Sequence, residues 1–182
     1  MRFLFSLVIL GFTALFIIPQ TQSSTLSFAN MLNAGYKEGS FRQQVECMAT
    51  NIYHEARQES ELGQRAVAFV VLNRVNSDHF PSTACDVIYQ AETVPHWKTQ
   101  LPVPKRNRCQ FSWYCDGKSD KINDKASYLK AERIAYEIME TYGAVYDPTQ
   151  GSTYYHATYV KPNWRHLDRV VRIDSHIFYK EK

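Results

Sequence analysis

Glycine is scarce in this sequence, with seven in 182 residues. None of them builds a loop that could cradle phosphates, so nucleotide-dependent chemistry has no support. No Gly-x-Ser-x-Gly elbow is present, which removes the serine-hydrolase reading tied to that turn. An odd cysteine is also missing. The four are Cys47, Cys85, Cys109 and Cys115, and a thiolate nucleophile would leave one of them unpaired in an oxidising compartment. His54-Glu55 begins like a zinc-protease helix, but the second histidine would fall at position 58, which is Gln58. His79, His96, His156, His166 and His176 show no tight ligand spacing and read as surface or packing residues. No metal and no organic cofactor is therefore expected. Large net charge is lacking too: +3 overall is too little to argue for nucleic-acid binding, though it suits a polymer carrying carboxylates. Internal repeats and low-complexity tracts are absent.

Aromatic residues are plentiful, at 14% of the chain, so most of it is expected to fold around a real core. The N-terminus stands apart. Phe3 to Ile18 is apolar except for Ser6, Gly11 and Thr13, Pro19 ends the run, and Thr21-Gln22-Ser23 offers a cleavage site. Residues 1–23 read as a secretory signal peptide; left uncleaved, the same run would anchor the chain in the inner membrane. Both readings export the remainder, and export favours disulfides. Three pairings are open. Cys109 and Cys115 flank a short segment that they could close, which leaves Cys47–Cys85 to join two helices.

After a flexible lead-in over 24–39, Ser40-Phe41-Arg42-Gln43 fits a helix-capping box. Val45, Met48, Ala49, Ile52 and Ala56 then recur at helical spacing, with Glu55 at the edge of that stripe. Glu55 is expected half-buried, and Glu59 and Glu61 exposed. A second helix over 62–75 has an apolar stretch, Ala66 to Leu72, without a polar face, so it belongs in the middle of the domain. A short helix follows over 84–90. Residues 91–122, with Pro95, Pro102 and Pro104, read as a long irregular loop, more often functional than not. A helix over 124–142 carries Leu129, Ile134, Ala135, Ile138 and Tyr142 on one face, with Gly143 as its stop. The tail alternates as strands over 152–160, 170–173 and 176–179, with Asp174-Ser175 as a hairpin turn. The fold class is α+β: helices first, a small antiparallel sheet last, in one domain over 40–182.

A lone glutamate on a helix is usually a solvated residue. Glu55 differs by context: it lies at a helix end, against an apolar stripe and ahead of a buried helix, in an exported chain with an aromatic loop. Apolar surroundings raise a carboxyl's pKa and keep it protonated near neutrality, as a general acid for glycosidic cleavage requires. Trp97, Trp113, Tyr114, Tyr155 and Trp164 could line a glycan cleft, since sugar faces stack on aromatic rings; core packing is the alternative for each.

The segment Cys47 to Ser60, with Gly63-Gln64-Arg65-Ala66-Val67-Ala68 and Val71-Leu72-Asn73-Arg74-Val75, resembles the SleB/CwlJ-like cell wall hydrolases, the spore-cortex-lytic family. Phe80-Pro81, Cys109-Gln110-Phe111-Ser112-Trp113, Cys115-Asp116-Gly117, Tyr155-His156-Ala157-Thr158-Tyr159-Val160, Pro162, Trp164 and His176-Ile177-Phe178-Tyr179 continue the resemblance in order over residues 44–180. The four-cysteine form looks like the version in exported proteins of Gram-negative bacteria and their phages, which implies the periplasm or cell wall. The resemblance implies a lysozyme-like helical core that cuts the glycan strand of peptidoglycan, with Glu55 as the family glutamate. Gln58 and Asp174 stand where members often have Gly; the first bears on the loop after Glu55, the second only on the turn.

The mechanism expected is that of a lytic transglycosylase, with Glu55 acting first as acid and then as base. Gln110, Phe111, Trp113, Tyr155 and His156 are the candidates for holding substrate. A hydrolytic muramidase would need a second carboxylate, for which Asp116 and Asp168 are available. An N-acetylmuramoyl-L-alanine amidase would need a metal, and a non-catalytic glycan-binding module would use the aromatic loop alone. Peptidoglycan is the expected partner, nucleic acid is not, and no residue identifies a regulatory protein.

Overall fold

A computed structural model describes residues 38–182; the signal segment and the lead-in up to residue 37 lie outside the described residues. Helix α1 spans Glu38–Ala56, α2 Glu61–Val75, α3 Ala84–Ile88 and α4 Lys125–Thr141. Strands β1 (Ala91–Pro95) and β2 (Pro102–Cys109) form one antiparallel ribbon, and a 3-10 turn covers Ser112–Cys115. Strands β3 (Tyr154–Ala157), β4 (Leu167–Ile173) and β5 (His176–Glu181) form a second sheet in the order β3-β5-β4, all antiparallel. The α+β reading holds, with helices leading and the sheet closing the chain.

Helix α2 is buried nearly all round, as its missing polar face required: Ala66, Val67, Ala68, Val70 and Val71 are fully enclosed. It packs on one side against α1 and α4 through Ile52, Phe69, Ile134 and Ile138. On the other side Ala66 and Val70 meet Ile173 and Phe178 of the terminal sheet. Tyr155 packs against both clusters, so it sits where the helical core and the sheet meet.

Several details differ from the sequence reading. α1 begins at Glu38, so Ser40 lies inside the first turn and is not its N-cap. Residues 91–109 are a ribbon and not an irregular loop. Its prolines are tolerated because both strands of a two-stranded ribbon are edges, with N–H positions that need no partner. Leu129 is exposed, and Ala131 and Met139 take its place on the buried face of α4. Gly143 does stop that helix, at φ +86° just beyond Tyr142. Glu59 is half-buried, because its carboxylate accepts from the Ser175 backbone N–H at 3.2 Å and from the Ser175 hydroxyl. Glu61 is partly covered as well, held by Arg65 and Arg133 in a surface network between α2 and α4.

The β4–β5 turn does more than reverse the chain. Asp174 adopts φ +48°, a left-handed conformation that Asp tolerates better than most residues. Its Oδ2 accepts from the Ser60 backbone N–H at 3.0 Å and from the Ser60 hydroxyl at 2.6 Å. Ser60 is the N-cap of α2, its hydroxyl oxygen accepting from the Gly63 N–H at 3.2 Å. A Cβ at Gly63 would run into the Asp174 carboxylate. The turn is thus clipped to the start of α2, five residues after Glu55, and the expectation that Asp174 matters only to the turn is corrected.

Disulfides join Cys47 to Cys85 and Cys109 to Cys115. The first ties α1 to α3 in the core; the second closes the 3-10 turn onto the end of the ribbon.

Candidate active site

Glu55 lies in the last turn of α1, and the chain there is fixed from three directions. Ile52 and Ala56 anchor the helix in the core. The Ser60–Asp174 clip holds the segment after it. Opposite, β3 brings Tyr155 to the carboxyl, and its hydroxyl donates to Glu55 Oε2 at 2.9 Å. Burial pushes the Glu55 pKa above the ordinary carboxylate value, opposed by the Tyr155 hydrogen bond and by the charge of Arg74. Tyr155 is itself raised, by burial and then by the nearby Glu55 charge, so it stays a donor. With Tyr155 on Oε2, Oε1 is left to carry the acidic proton.

Two neighbours in sequence set this arrangement. The Asn73 side-chain amide donates to Asp147 Oδ2 at 3.0 Å and to the Ser152 carbonyl at 3.0 Å, pinning the 147–152 loop against α2. Arg74 Nε donates to the Thr153 carbonyl at 2.7 Å. Together they fix where β3 starts, and so where Tyr155 falls. Arg74 is buried, its guanidinium lying over the rings of Phe80 and Phe111, each at 5.2 Å. Its Nη1 has no hydrogen-bond partner among the described residues.

A cleft of about 450 Å³ opens beside Glu55. Gln110, Phe111, Trp113, Tyr155 and His156 all border it, so the structure gathers every substrate-binding candidate around one cavity. Their surroundings differ. Gln110 is exposed at the rim. Phe111 is 2% exposed and belongs to the core, so it forms wall and not stacking surface. Trp113 is also buried: its Nε1 donates to Asn51 Oδ1 at 2.9 Å and its ring stacks on His54 at 4.6 Å. Burial lowers the pKa of His54. His156 lies on the outer face of β3, stacked on Tyr179 at 5.2 Å. Its Nδ1 donates to the Ala157 carbonyl at 2.8 Å, which leaves Nε2 to accept from the Tyr179 hydroxyl at 3.0 Å. Two candidates on opposite faces of one strand reach the same cleft because β3 is an edge strand.

The other proposed aromatic walls lie elsewhere. Trp97 is 76% exposed near the tip of the β1–β2 ribbon. Tyr114 packs on Tyr89 at 4.8 Å, and Trp164 on Tyr154, His156 and Tyr179. Of the two carboxylates considered as partners for Glu55, Asp116 borders the cleft, while Asp168 is exposed on β4 and does not. The backbone N–H of Lys118, donating at 2.8 Å, keeps the Asp116 pKa below its usual value.

Sequence reasoning did not single out Arg74, His176, Lys118 or Tyr159 for the cleft, and all of them border it. Arg74 could have been suspected, as an arginine two residues beyond the apolar stretch Ala66 to Leu72 and directly before Val75. His176 is buried at the start of β5, with its pKa lowered by burial. Tyr159, 85% exposed, has an open ring face; nothing in the sequence separates it from the other eleven tyrosines. Among the described residues no group of three His, Cys, Asp or Glu is placed to hold a metal ion.

A family model described as cell wall hydrolase matches residues 58–179, beginning three residues after Glu55. The spore cortex-lytic enzyme of Halalkalibacterium halodurans is 38% identical over 71 residues, 39% of this chain and 20% of that protein. The spore cortex-lytic enzyme of Bacillus cereus is 46% identical over 52 residues, 29% of this chain and 20% of the relative. The aligned stretches thus span about a fifth of these relatives' length. The crystal structure of the catalytic domain of Bacillus cereus SleB superposes with a TM-score of 0.53 at 28% identity, covering 75% of this chain and 89% of that one. The catalytic domain of the germination-specific lytic transglycosylase SleB from Bacillus anthracis gives 0.54 at 27% identity, over 80% of this chain and 98% of that one. With the family match running over well more than half of its length, the chain belongs to the SleB-like cell wall hydrolase family.

Proposed function

We propose that this chain cleaves the glycan strand of peptidoglycan outside the cytoplasm as a lytic transglycosylase, with residues 40–182 as its single catalytic domain. The observation that carries the reading is Glu55: a carboxyl of raised pKa at a cleft, bonded through one oxygen to Tyr155. A carboxyl held protonated near neutrality can give its proton to the glycosidic oxygen between N-acetylmuramic acid and N-acetylglucosamine. The C1–O bond then breaks, and the N-acetylglucosamine leaves as an alcohol. Glu55, now a carboxylate beside Arg74, takes the proton of the muramic C6 hydroxyl while O6 bonds to C1. The ring closes as a 1,6-anhydro sugar, no water is consumed and Glu55 ends protonated as it began. Tyr155 donates to the carboxylate form and so favours the first step, in which Glu55 gives up its proton. Gln110 and His156 are proposed to hold the sugars at the rim, with Phe111 and Trp113 as apolar wall. The match to a lytic transglycosylase catalytic domain supports the same reading.

Asp116 favours a second reading, because it borders the same cleft and could activate water as an inverting muramidase does. Mass spectrometry of digested peptidoglycan separates the two. Anhydromuramyl ends are expected. Reducing muramic ends, lost in Asp116→Asn, would replace the transglycosylase by the muramidase, and released peptides would overturn both.

A further inference from the structure

The base of the β1–β2 ribbon holds a second cavity, of about 480 Å³, that the mechanism does not use. It arises from a break in register: Ala91 pairs with Cys109 and Thr93 with Pro104, so residues 105–108 stand opposite the single residue Glu92. Asn107, at φ +57°, turns this bulge. Glu92 and Arg108 line the cavity with opposite charges, and their side chains are only loosely paired, at 3.9 Å. Lys105 approaches the same Glu92 carboxylate at 3.5 Å. Gln90 borders the cavity as well. Gln110 borders both this cavity and the Glu55 cleft.

A cation and an anion on one cavity wall, with amides between them, suit a ligand group that carries both charges. An amino acid zwitterion is such a group: its carboxylate matches an arginine fork and its ammonium a carboxylate and amide oxygens. In peptidoglycan the muramic lactyl group carries a peptide stem, and a diamino diacid in that stem ends in a free zwitterion when it is not cross-linked. We propose that this cavity is a stem-peptide subsite that takes the zwitterionic end of an uncross-linked diamino diacid, with Arg108 on its carboxylate and Glu92 on its ammonium. The proposal rests on the reading of the Glu55 cleft as a glycan-strand site. It makes the enzyme selective for strands whose stems are free.

The test is binding of the soluble tripeptide L-Ala-γ-D-Glu-meso-diaminopimelate to the purified chain, by calorimetry. The same tripeptide with lysine in third position keeps the ammonium and lacks the carboxylate. The lysine peptide is expected to bind about tenfold more weakly, the loss of one charge-assisted hydrogen bond. Arg108→Ala should bring the diaminopimelate peptide down to the lysine level, and Glu92→Gln should weaken both. In cleavage, wild type should favour strands with uncross-linked stems over strands stripped of peptide by about tenfold in kcat/KM, and Arg108→Ala should bring that ratio to about one. Equal binding of the two peptides, or an unchanged ratio in Arg108→Ala, overturns the subsite. If no anhydromuramyl ends form while the peptides still discriminate, the transglycosylase reading falls and the subsite stands.

Discussion

The two sheets of this protein are built from the same backbone pairing and do opposite things. The terminal sheet has one face buried on α2, with Phe178 fully enclosed and Ile173 beside it. Its edge strand is further held by Asn73 and Arg74, and its turn by Ser60. The β1–β2 ribbon is exposed on both faces along most of its length and is joined to the domain at its base by the Cys109–Cys115 bridge. A sheet with a buried face can hold a hydroxyl at hydrogen-bond distance from an acid. A ribbon without one can only present groups to solvent. The difference explains why the partner of Glu55 comes from the first, and why the exposed cations Lys105 and Arg108 come from the second.

The comparison breaks if the acid can be removed without loss. Glu55→Gln should lower kcat by about 10² to 10⁴ on purified peptidoglycan, the range of general acid–base catalysis. The fold should become firmer. A raised folded pKa means Glu55 adds stability below its unfolded pKa and loses it as pH rises through the folded value, so at neutral pH the ionisable group is a burden. Thermal unfolding at pH 7 should show a higher Tm for Glu55→Gln; an equal or lower Tm would contradict the burial argument.

Next in size is the packing of the terminal sheet. Phe178→Ala should destabilise by about 3–5 kcal/mol in urea titration, since a fully buried ring leaves a cavity. Trp97→Ala, on the open ribbon, should change stability by less than about 0.5 kcal/mol. Comparable losses at the two sites would erase the distinction between the sheets.

The disulfides carry a smaller contrast. Replacing Cys47 and Cys85 by Ser should cost about 4 kcal/mol, and replacing Cys109 and Cys115 about 2 kcal/mol, from the lengths of the loops they close. The second pair should instead lower kcat/KM, because it sets the 3-10 turn that carries Trp113 to the cleft.

The finest test is the pH profile. In the proposed mechanism protonated Glu55 is the acid, so kcat/KM should fall as pH rises through its raised pKa. Tyr155→Phe removes a bond that favours the carboxylate, and the alkaline limb should therefore move to higher pH. A limb that stays in place, or moves down, would show that Tyr155 does not act on Glu55.

Much of this was legible in the chain. Periodicity located α1, α2 and α4, because each buries a continuous stripe and repeats it every three to four residues. The unbroken apolar stretch of α2 located the centre of the core. The ribbon was missed because prolines veto a central strand, and nothing local tells a two-stranded ribbon from a loop. Trp97, Tyr114 and Trp164 were assigned to the cleft because an aromatic residue carries the same signature in a wall, a core or a hairpin tip. Arg74 and Tyr159 were missed for a related reason: their importance lies in what they face across the fold.

The sequence by itself determined the α+β order and the family and singled out Glu55, because these rest on local patterns and on residues adjacent in the chain. Only the tertiary structure decided what Glu55 meets. Its hydrogen-bond partner is one hundred residues away, placed by Arg74 on one helix and by a turn aspartate clipped to that helix's N-cap, Ser60. A carboxyl's pKa is set by the solvent it loses and the donors it gains, and both come from parts of the chain that meet only on folding.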